Sequence, residues 1–258
     1  MKTIKELYDY REMIISLVRR ELRGKYKGSI LGFLWAFINP LLQLVVYTIV
    51  FTFITRNNME DFYLYLFVAL IPWIYIGFCM TGGATSVTSQ TEMVKKIYFP
   101  RLVLPISYAT SQFVNMLLSF VVIFIVLILS GKGISLKAII YLPLIMLIEY
   151  VFGMAIAILF SCINVYLRDL EQVSGVLSMA WQFLSPVLYS VEVIPEQYRN
   201  IYMLNPIAPM VVIYREILYY KRVPDISMFW NPLFFATVLF IVSCITFSKL
   251  KKHFAEEL

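Results

Sequence analysis

Five basic residues cluster at positions 19–27, and their side chains are suited to binding phosphate. They are Arg19, Arg20, Arg23, Lys25 and Lys27. An arginine guanidinium donates a fork of N–H groups to phosphate oxygens, and a lysine ammonium adds a compact positive charge. The same cluster is also typical of sequences that orient a protein in a membrane and attract anionic lipid headgroups. The two interpretations are compatible, and both stay open.

Glu149 is the one acidic residue well inside a long apolar run, in the sequence L-I-E-Y at 147–150. A carboxylate is costly in lipid, so it must be partnered, protonated or in contact with a pore. We expect a hydrogen bond from another helix, and proton coupling is the alternative.

No bound cofactor is expected in this chain. No segment of the sequence has the form G-x-x-x-x-G-K-[ST] of an ATP-binding loop, and G-K-G at 131–133 lacks the other positions. Cys79, Cys162 and Cys244 each lie in or beside an apolar run, without metal-ligand spacing. We interpret these cysteines as small core residues. If ATP drives the protein, a separate subunit must hold it.

The composition of the chain indicates an integral membrane protein. Of the 258 residues, 60% are hydrophobic and 15% are charged, against about 45–50% and about 25% in soluble domains. The mean hydropathy is +0.78. The net charge of +6 does not indicate a nucleic-acid partner, because the basic residues flank apolar runs, as orientation signals do.

Six apolar runs predict an all-α membrane protein with six spans, since a spanning helix needs about 20 residues. The predicted spans are 30–55, 62–83, 104–130, 138–162, 173–189 and 228–247. Residues 1–29 precede them and read as an amphipathic helix on the cytosolic membrane surface, or against a partner protein. Residues 190–225 are rich in proline and predict two short helices that dip into the outer interface, with an ordered external loop as the alternative.

The distribution of basic residues predicts the orientation of the chain. With six spans, 15 of the 22 Lys and Arg residues fall on the side that holds both termini, and 7 fall on the other. The positive-inside rule then places both termini in the cytosol, in a multi-pass protein of the cytoplasmic membrane.

Five short motifs are spread along almost the whole chain. They are R-E-L-R-G-K-Y-K-G-S at 20–29 with L-G-F-L-W at 31–35 and N-P at 39–40; I-P-W at 71–73; K-K-I-Y-F-P-R at 95–101 with L-P at 104–105; N-V-Y-L-R-D-L at 164–170; and S-P-V-L-Y at 185–189 with L-N-P at 204–206. In this order they make the chain resemble the permease subunits of ABC-2 type exporters, in the branch that exports polysaccharides such as O-antigen, teichoic acid and capsule.

This resemblance implies a pair of such subunits and two ABC ATPase subunits, which bind ATP and magnesium. It makes segment 86–101 the coupling helix that docks on the ATPase, and a solvated connector is the alternative. The residues that would take part are Thr91, Glu92, Met93, Val94, Lys95 and Lys96. The resemblance also implies that the turn with Arg168 and Asp169 faces the ATPase. Such a pair is more often a local ion pair or helix cap.

The resemblance further implies that the first and fifth spans line a channel. Six aromatic residues on these spans would stack on sugar rings, and lipid-facing aromatics are the alternative. They are Trp35, Tyr47, Phe51, Trp181, Phe183 and Tyr189. The basic cluster would then meet the phosphate headgroup of a lipid-linked glycan.

Three other functions remain open at this stage. The substrate of an ABC-2 exporter can be a smaller lipid or a drug. A membrane-embedded polyprenyl-phosphate glycosyltransferase would need clustered acids or an interfacial histidine, and the only histidine is His253 in the C-terminal tail. A structural scaffold would need no coupling segment at all.

Overall fold

The computed structural model describes residues 2–24, 28, 31–50 and 61–257, and every regular element in these ranges is helical. The helices are α1 (Lys2–Asp9), α2 (Arg11–Gly24), α3 (Trp35–Ile49), α4 (Phe62–Thr85), α5 (Thr91–Lys96), α6 (Val103–Leu129), α7 (Leu136–Ile139), α8 (Leu142–Tyr166), α9 (Leu170–Phe183), α10 (Glu196–Tyr202), α11 (Ile207–Leu218), α12 (Trp230–Leu250) and α13 (Phe254–Glu257). The prediction of an all-α protein is confirmed for this part of the chain.

Helix α4 lies at the centre of the bundle, where α3, α6, α8, α9 and α11 pack around it. It is apolar on all sides, as a fully enclosed helix must be. Small residues allow its neighbours to approach closely. A Cβ atom on Gly153 of α8 would lie 2.5 Å from the ring of Tyr75, so only glycine lets this tyrosine pack against α8.

Four helical segments in the described part of the chain are long and apolar enough to cross a membrane. They are Phe62–Thr85, Val103–Leu129, Leu136–Tyr166 and Ile226–Leu250. A fifth is possible if α10 and α11, which are bent by 103° relative to each other, form one broken span. These segments define a multi-pass membrane protein, and the count of six spans stays a prediction.

The predicted fifth span, 173–189, is shorter as a helix than the sequence indicated. Helix α9 begins at Leu170 and ends at Phe183, and the chain then turns. Pro186 explains the early end, because proline has no N–H to donate and disfavours helical geometry in the residue before it. In the predicted first span, 30–55, the structure describes 31–50, and residues 51–55 lie outside the described part.

The two ends of the bundle are built differently. The α5 end comprises α1, α2, α5, α13 and the adjoining ends of α4, α6, α8 and α12. It has its own apolar core, in which Leu17 of α2, Val94 of α5 and Phe254 of α13 are buried together. The α11 end comprises α10, α11 and the opposite ends of α4, α6, α8 and α9. Residues 190–225 contain α10 and α11 there, the two short helices that the sequence predicts.

Candidate functional site

Helix α2 presents the described part of the basic cluster at the α5 end. Its apolar side packs on α6 through Leu17, which is 7% exposed, while Arg19, Arg20 and Arg23 are exposed. The sequence predicts one amphipathic helix on the membrane surface here, whereas the structure has two helices, α1 and α2; placement on the membrane surface stays a prediction. Lys25 and Lys27, the two remaining predicted phosphate ligands, lie outside the described residues.

A polar cavity of about 260 Å³ lies between α2, α4 and α6 at this end. The polar side chains around it are Arg20, Glu21, Thr85, Ser86, Ser89, Gln90, Ser107 and Tyr108. The Ser107 hydroxyl is buried and has no hydrogen-bond partner among the described residues. A Cβ atom on Gly82 would lie 1.8 Å from the Tyr108 hydroxyl oxygen, so any larger residue there would displace the Tyr108 ring. Of the predicted phosphate ligands, the structure brings Arg20 to this group of hydroxyls.

Helix α5 is held in place at its start and on one side, and it leaves an exposed tip. The Thr91 hydroxyl donates to the Thr88 carbonyl at 2.7 Å, and the Asn164 side chain lies 3.4 Å from the Thr88 hydroxyl. Val94 is 6% exposed, whereas Tyr98, just beyond the helix, is 94% exposed. An aromatic ring so fully in contact with solvent is unusual, and it favours a docking surface.

The other predicted coupling residues are mostly exposed. Glu92 and Lys96 form an ion pair of 2.5 Å along α5. Met93 is half-buried and Lys95 is exposed. Together with Tyr98 they form a charged and aromatic surface on a buried base, which suits contact with another protein.

The turn that holds Arg168 and Asp169 joins α8 to α9, and both side chains are exposed. Asp169 occupies the N-cap of α9, but its side chain makes no capping hydrogen bond. No ion pair joins the two residues in the part of the chain that the structure describes. Within these ranges the pair is seen neither as an ion pair nor as a side-chain cap, and both side chains are available to a partner.

A groove of about 200 Å³, the α9 groove, lies between α3, α4 and α9. Its aromatic side chains are Tyr47, Trp73 and Phe78, and its polar side chains are Gln43, Thr81, Ser178 and Gln182. A Cβ atom on Gly77 would lie 3.1 Å from the Ser178 hydroxyl, so α9 packs closely against α4 at this point. The two helices predicted to line a channel thus border one groove.

The predicted channel aromatics fall in different environments. Tyr47 lines the α9 groove, and Trp35 lines a second cavity between α3, α4 and α6. Phe183 is 58% exposed at the end of α9. Trp181 packs edge-on against Phe152 of α8. Phe51 lies outside the described residues.

Trp181 and Tyr189 belong to a hydrogen-bond network at the α11 end. The Trp181 indole N–H donates to Asn205 Oδ1 at 3.0 Å. Asn205 Nδ2 donates to the Leu184 carbonyl at 3.1 Å and to the Ser185 hydroxyl at 2.9 Å. The Tyr189 hydroxyl donates to the Phe183 carbonyl at 2.8 Å. The motifs S-P-V-L-Y and L-N-P therefore contact each other directly.

Arg215 of α11 completes this network, and the sequence did not single it out. Only 2% of the residue is exposed, and its guanidinium lies 3.6 Å from the centre of the Tyr65 ring. It donates to the backbone carbonyls of Tyr65, Val187 and Tyr189 at 3.3, 2.9 and 3.1 Å. The available signal was an arginine within the apolar run V-V-I-Y-R-E-I-L, since such a residue is buried only when it is partnered.

Glu149 has the partner that the sequence predicts. The Tyr214 hydroxyl of α11 donates to a carboxylate oxygen of Glu149, and the two side chains are 0% and 1% exposed. The expected hydrogen bond from another helix is confirmed. The bond ties α8 to α11 inside the bundle.

All three cysteines are free thiols, with Cys79 and Cys162 buried and Cys244 half-buried. Among the described residues, no three His, Cys, Asp or Glu side chains are grouped so that they could hold a metal ion.

Long apolar helices around a central helix, with a polar cavity at one end and a groove along one side, define a multi-pass membrane protein with candidate ligand surfaces. The chain belongs to the ABC-2 type transporter family, whose model matches residues 12–219. The resemblance based on the five motifs is confirmed.

Similar proteins cover nearly the whole chain. An O-antigen export system permease protein, RfbA, of Myxococcus xanthus is 33% identical over 260 residues, which is 100% of each chain. A protein of the same name from Klebsiella pneumoniae is 30% identical over 245 residues, or 95% of this chain and 94% of the relative. The polysialic acid transport protein KpsM of Escherichia coli is 23% identical over 233 residues, or 88% and 89%.

Proposed function

We propose that this chain is the permease subunit of an ATP-driven exporter that moves a lipid-linked polysaccharide across the cytoplasmic membrane. The α9 groove carries the proposal, because aromatic faces and neutral hydrogen-bonding groups lie side by side along helices of a transporter bundle. Sugar rings present apolar C–H faces and hydroxyl edges, so both kinds of surface are complementary to a glycan. The names of the similar permeases support the same substrate class.

We propose a topology of six spans with both termini in the cytosol. In this topology α3 and α9 span together with the four long helices, and α10 and α11 re-enter from the outer side. The charge distribution supports this orientation, because 15 of 22 basic residues then face the cytosol. Helix α9 is too short to cross the membrane by itself, so α10 and α11 would occupy the rest of the membrane thickness. The hydrogen bonds of Asn205 join the end of α9 to these two helices.

ATP hydrolysis belongs to a partner ABC ATPase subunit with its magnesium ion. The exposed Tyr98 beside the anchored helix α5, together with the exposed Arg168 and Asp169, forms the surface that we assign to this partner. A single bundle leaves the α9 groove open on one side, so a second copy of the chain would enclose the glycan path.

The polar cavity at the α5 end is the site that we assign to the phosphate headgroup of the lipid-linked glycan. Arg20 supplies the charge, and the Ser107 and Tyr108 hydroxyls supply donors. Glu21 lines the same cavity, which limits how much negative charge it can accept. Arg19 and Arg23 are exposed and do not line the described part of this cavity, and we assign them to the surface of anionic membrane lipids.

The decisive experiment is reconstitution of the purified permease with its ATPase in proteoliposomes. We expect the ATPase to co-purify and ATP to drive transfer of lipid-linked polysaccharide. Tyr47→Leu and Gln182→Leu should slow this transfer, whereas Thr237→Val on the exposed side of α12 should not. If no ATPase ever co-purifies and ATP has no effect, the transporter function is wrong.

The same preparation separates the alternatives. Transfer of a smaller lipid or a drug without transfer of glycan would overturn the substrate class. Transfer of a sugar from one lipid carrier to another without ATP would indicate a glycosyltransferase instead.

A further inference from the structure

A second cavity, the amide cavity, lies between α3, α4 and α6. Its volume is about 240 Å³. Its polar side chains are Asn39 and Gln43 of α3 and Gln112, Asn115 and Ser119 of α6. It lies beside the middle of α4 and α6, which are candidate membrane spans. Four carboxamides around one cavity at this depth are notable, because lipid offers them no hydrogen-bond partners.

The carboxamides are incompletely satisfied by the protein. Gln112 is 6% exposed; its side chain donates to the Ser111 hydroxyl at 3.5 Å and accepts from Asn115 Nδ2 at 3.4 Å. Both distances exceed the 2.7–3.2 Å of ordinary N–H···O bonds. Asn115 Oδ1 is buried and has no partner among the described residues. Such groups are expected to bind a polar ligand or ordered water.

The remaining lining indicates what kind of ligand fits. Aromatic rings of Trp35, Tyr75 and Phe78 border the cavity, and none of its described lining residues is charged. Carboxamides both donate and accept, which matches hydroxyl and acetamido groups. The volume lies below the roughly 300–1,000 Å³ of sites for drug-sized ligands, so it has room for one ring and not for a chain.

The amide cavity adjoins the path that we assign to the glycan. Gln43 and Phe78 line both this cavity and the α9 groove. A sugar ring of a glycan bound in the α9 groove would therefore lie next to the amide cavity. Among the described lining residues, a negatively charged ring would find no cation to offset the loss of water, which is costly at membrane depth.

We propose that the amide cavity is a sugar subsite that accepts one neutral ring of the transported glycan and excludes anionic rings. This inference rests on the proposed export function and extends it to a determinant of specificity. Gln112 and Asn115 are the recognising residues, and the aromatic rings provide the apolar walls.

Saturation-transfer NMR on the permease–ATPase complex in nanodiscs free of sugar detergent tests the proposal. The probes are methyl β-glucoside, methyl N-acetyl-β-glucosaminide and methyl β-glucuronide. We expect transfer to the two neutral glycosides and none to the glucuronide. Gln112→Leu and Asn115→Leu should each weaken the neutral signal by about fivefold, the loss expected for one net hydrogen bond.

Two further variants control the experiment. Asn200→Leu removes an exposed amide on α10, outside the cavity, and should leave the signal unchanged. Gln112→Asn keeps the amide but withdraws it by one methylene, and should weaken the signal without lowering the melting temperature.

Equal signals from neutral and anionic probes, or signals that persist in both leucine variants, would overturn the subsite. Absence of any signal in the unmodified complex would do the same, even if that complex exports glycan. Failure of the unmodified complex to export glycan would instead overturn the proposed function, so the two failures are distinguishable.

Discussion

The two ends of the bundle are held together by different forces. At the α11 end, buried polar side chains bond to backbone carbonyls: Arg215 to three of them and Asn205 to Leu184. At the α5 end, α2, α5 and α13 pack around the apolar side chains of Leu17, Val94 and Phe254. Arg101 and Tyr166 add one bond each there, to the carbonyls of Lys251 and Leu250. A directional network fixes one arrangement, whereas apolar packing is non-directional and tolerates small sliding movements.

The difference fits the tasks that we assign to the two ends. The α5 end must receive motion from an ATPase. Its surface carries the exposed Tyr98 next to a helix that is anchored by the buried Val94. The α11 end must hold the end of α9, the turn at 184–189 and the helices α10 and α11 as one unit. Variants at the two ends should therefore fail in different ways.

The largest effect is expected for Arg215→Met. Removing the guanidinium leaves three carbonyls without this donor, and each such loss in a buried place costs about 1–3 kcal/mol, so we expect at least about 3 kcal/mol of destabilisation. The measurement is thermal unfolding of the purified permease. Arg222→Met, which removes an exposed arginine at the same end, is the control. Equal melting temperatures for the two variants would contradict the network.

A smaller effect is expected for Asn205→Leu, which removes the bonds to Trp181, Leu184 and Ser185. We expect a loss of about 1–3 kcal/mol in unfolding free energy. Asn205→Asp keeps the acceptor for the Trp181 N–H and loses the two donated bonds, so its loss should be intermediate. If the leucine and aspartate variants are both as stable as the unmodified protein, the bonds of Asn205 do not contribute as described.

At the α5 end, Tyr98→Ala should change coupling without changing stability. The ring is 94% exposed, so its removal costs the folded permease nothing. Buried tyrosines dominate many interfaces, and we expect the affinity for the ATPase to fall by about tenfold. Binding is measured with both subunits purified. Tyr198→Ala, an exposed tyrosine on α10, should bind the ATPase normally. A lower melting temperature for the Tyr98 variant would show that the residue is structural.

The smallest effect is expected for Glu92→Gln. The Glu92–Lys96 pair is exposed on both sides, and such pairs contribute about 0.3–0.5 kcal/mol. The melting temperature should therefore stay within experimental error, in contrast to the α11-end variants. A shift as large as that of Asn205→Leu would remove the distinction between the two ends.

Much of the fold could be predicted from local pattern. The long apolar runs predicted α4, α6, α8 and α12, and apolar residues at helical spacing predicted the amphipathic N-terminal segment that contains α2. The partner of Glu149 could be predicted in kind, because a lone acid in lipid needs a hydrogen bond. Its identity, Tyr214, could not, since the two residues are far apart in the chain.

The candidate sites were only partly predictable. Trp181 and Tyr47 have similar chemistry and lie on the two helices assigned to the channel, yet one bonds within the α11 end and the other lines the α9 groove. Which way an aromatic ring points on a helix with apolar residues on several faces depends on its neighbours. The same applies to Arg20, which differs from Arg19 by one position and reaches a polar cavity.

By itself, the sequence determined that this is a helical membrane protein, how its basic residues are distributed and to which family it belongs. These properties follow from composition and from motifs that are short and local. Only the tertiary structure decided that Arg215 and Asn205 hold the end of α9, and that Gln112 and Asn115 face a cavity with Asn39. Hydrogen bonds and cavities join residues from different helices, and such contacts depend on packing that no single segment encodes.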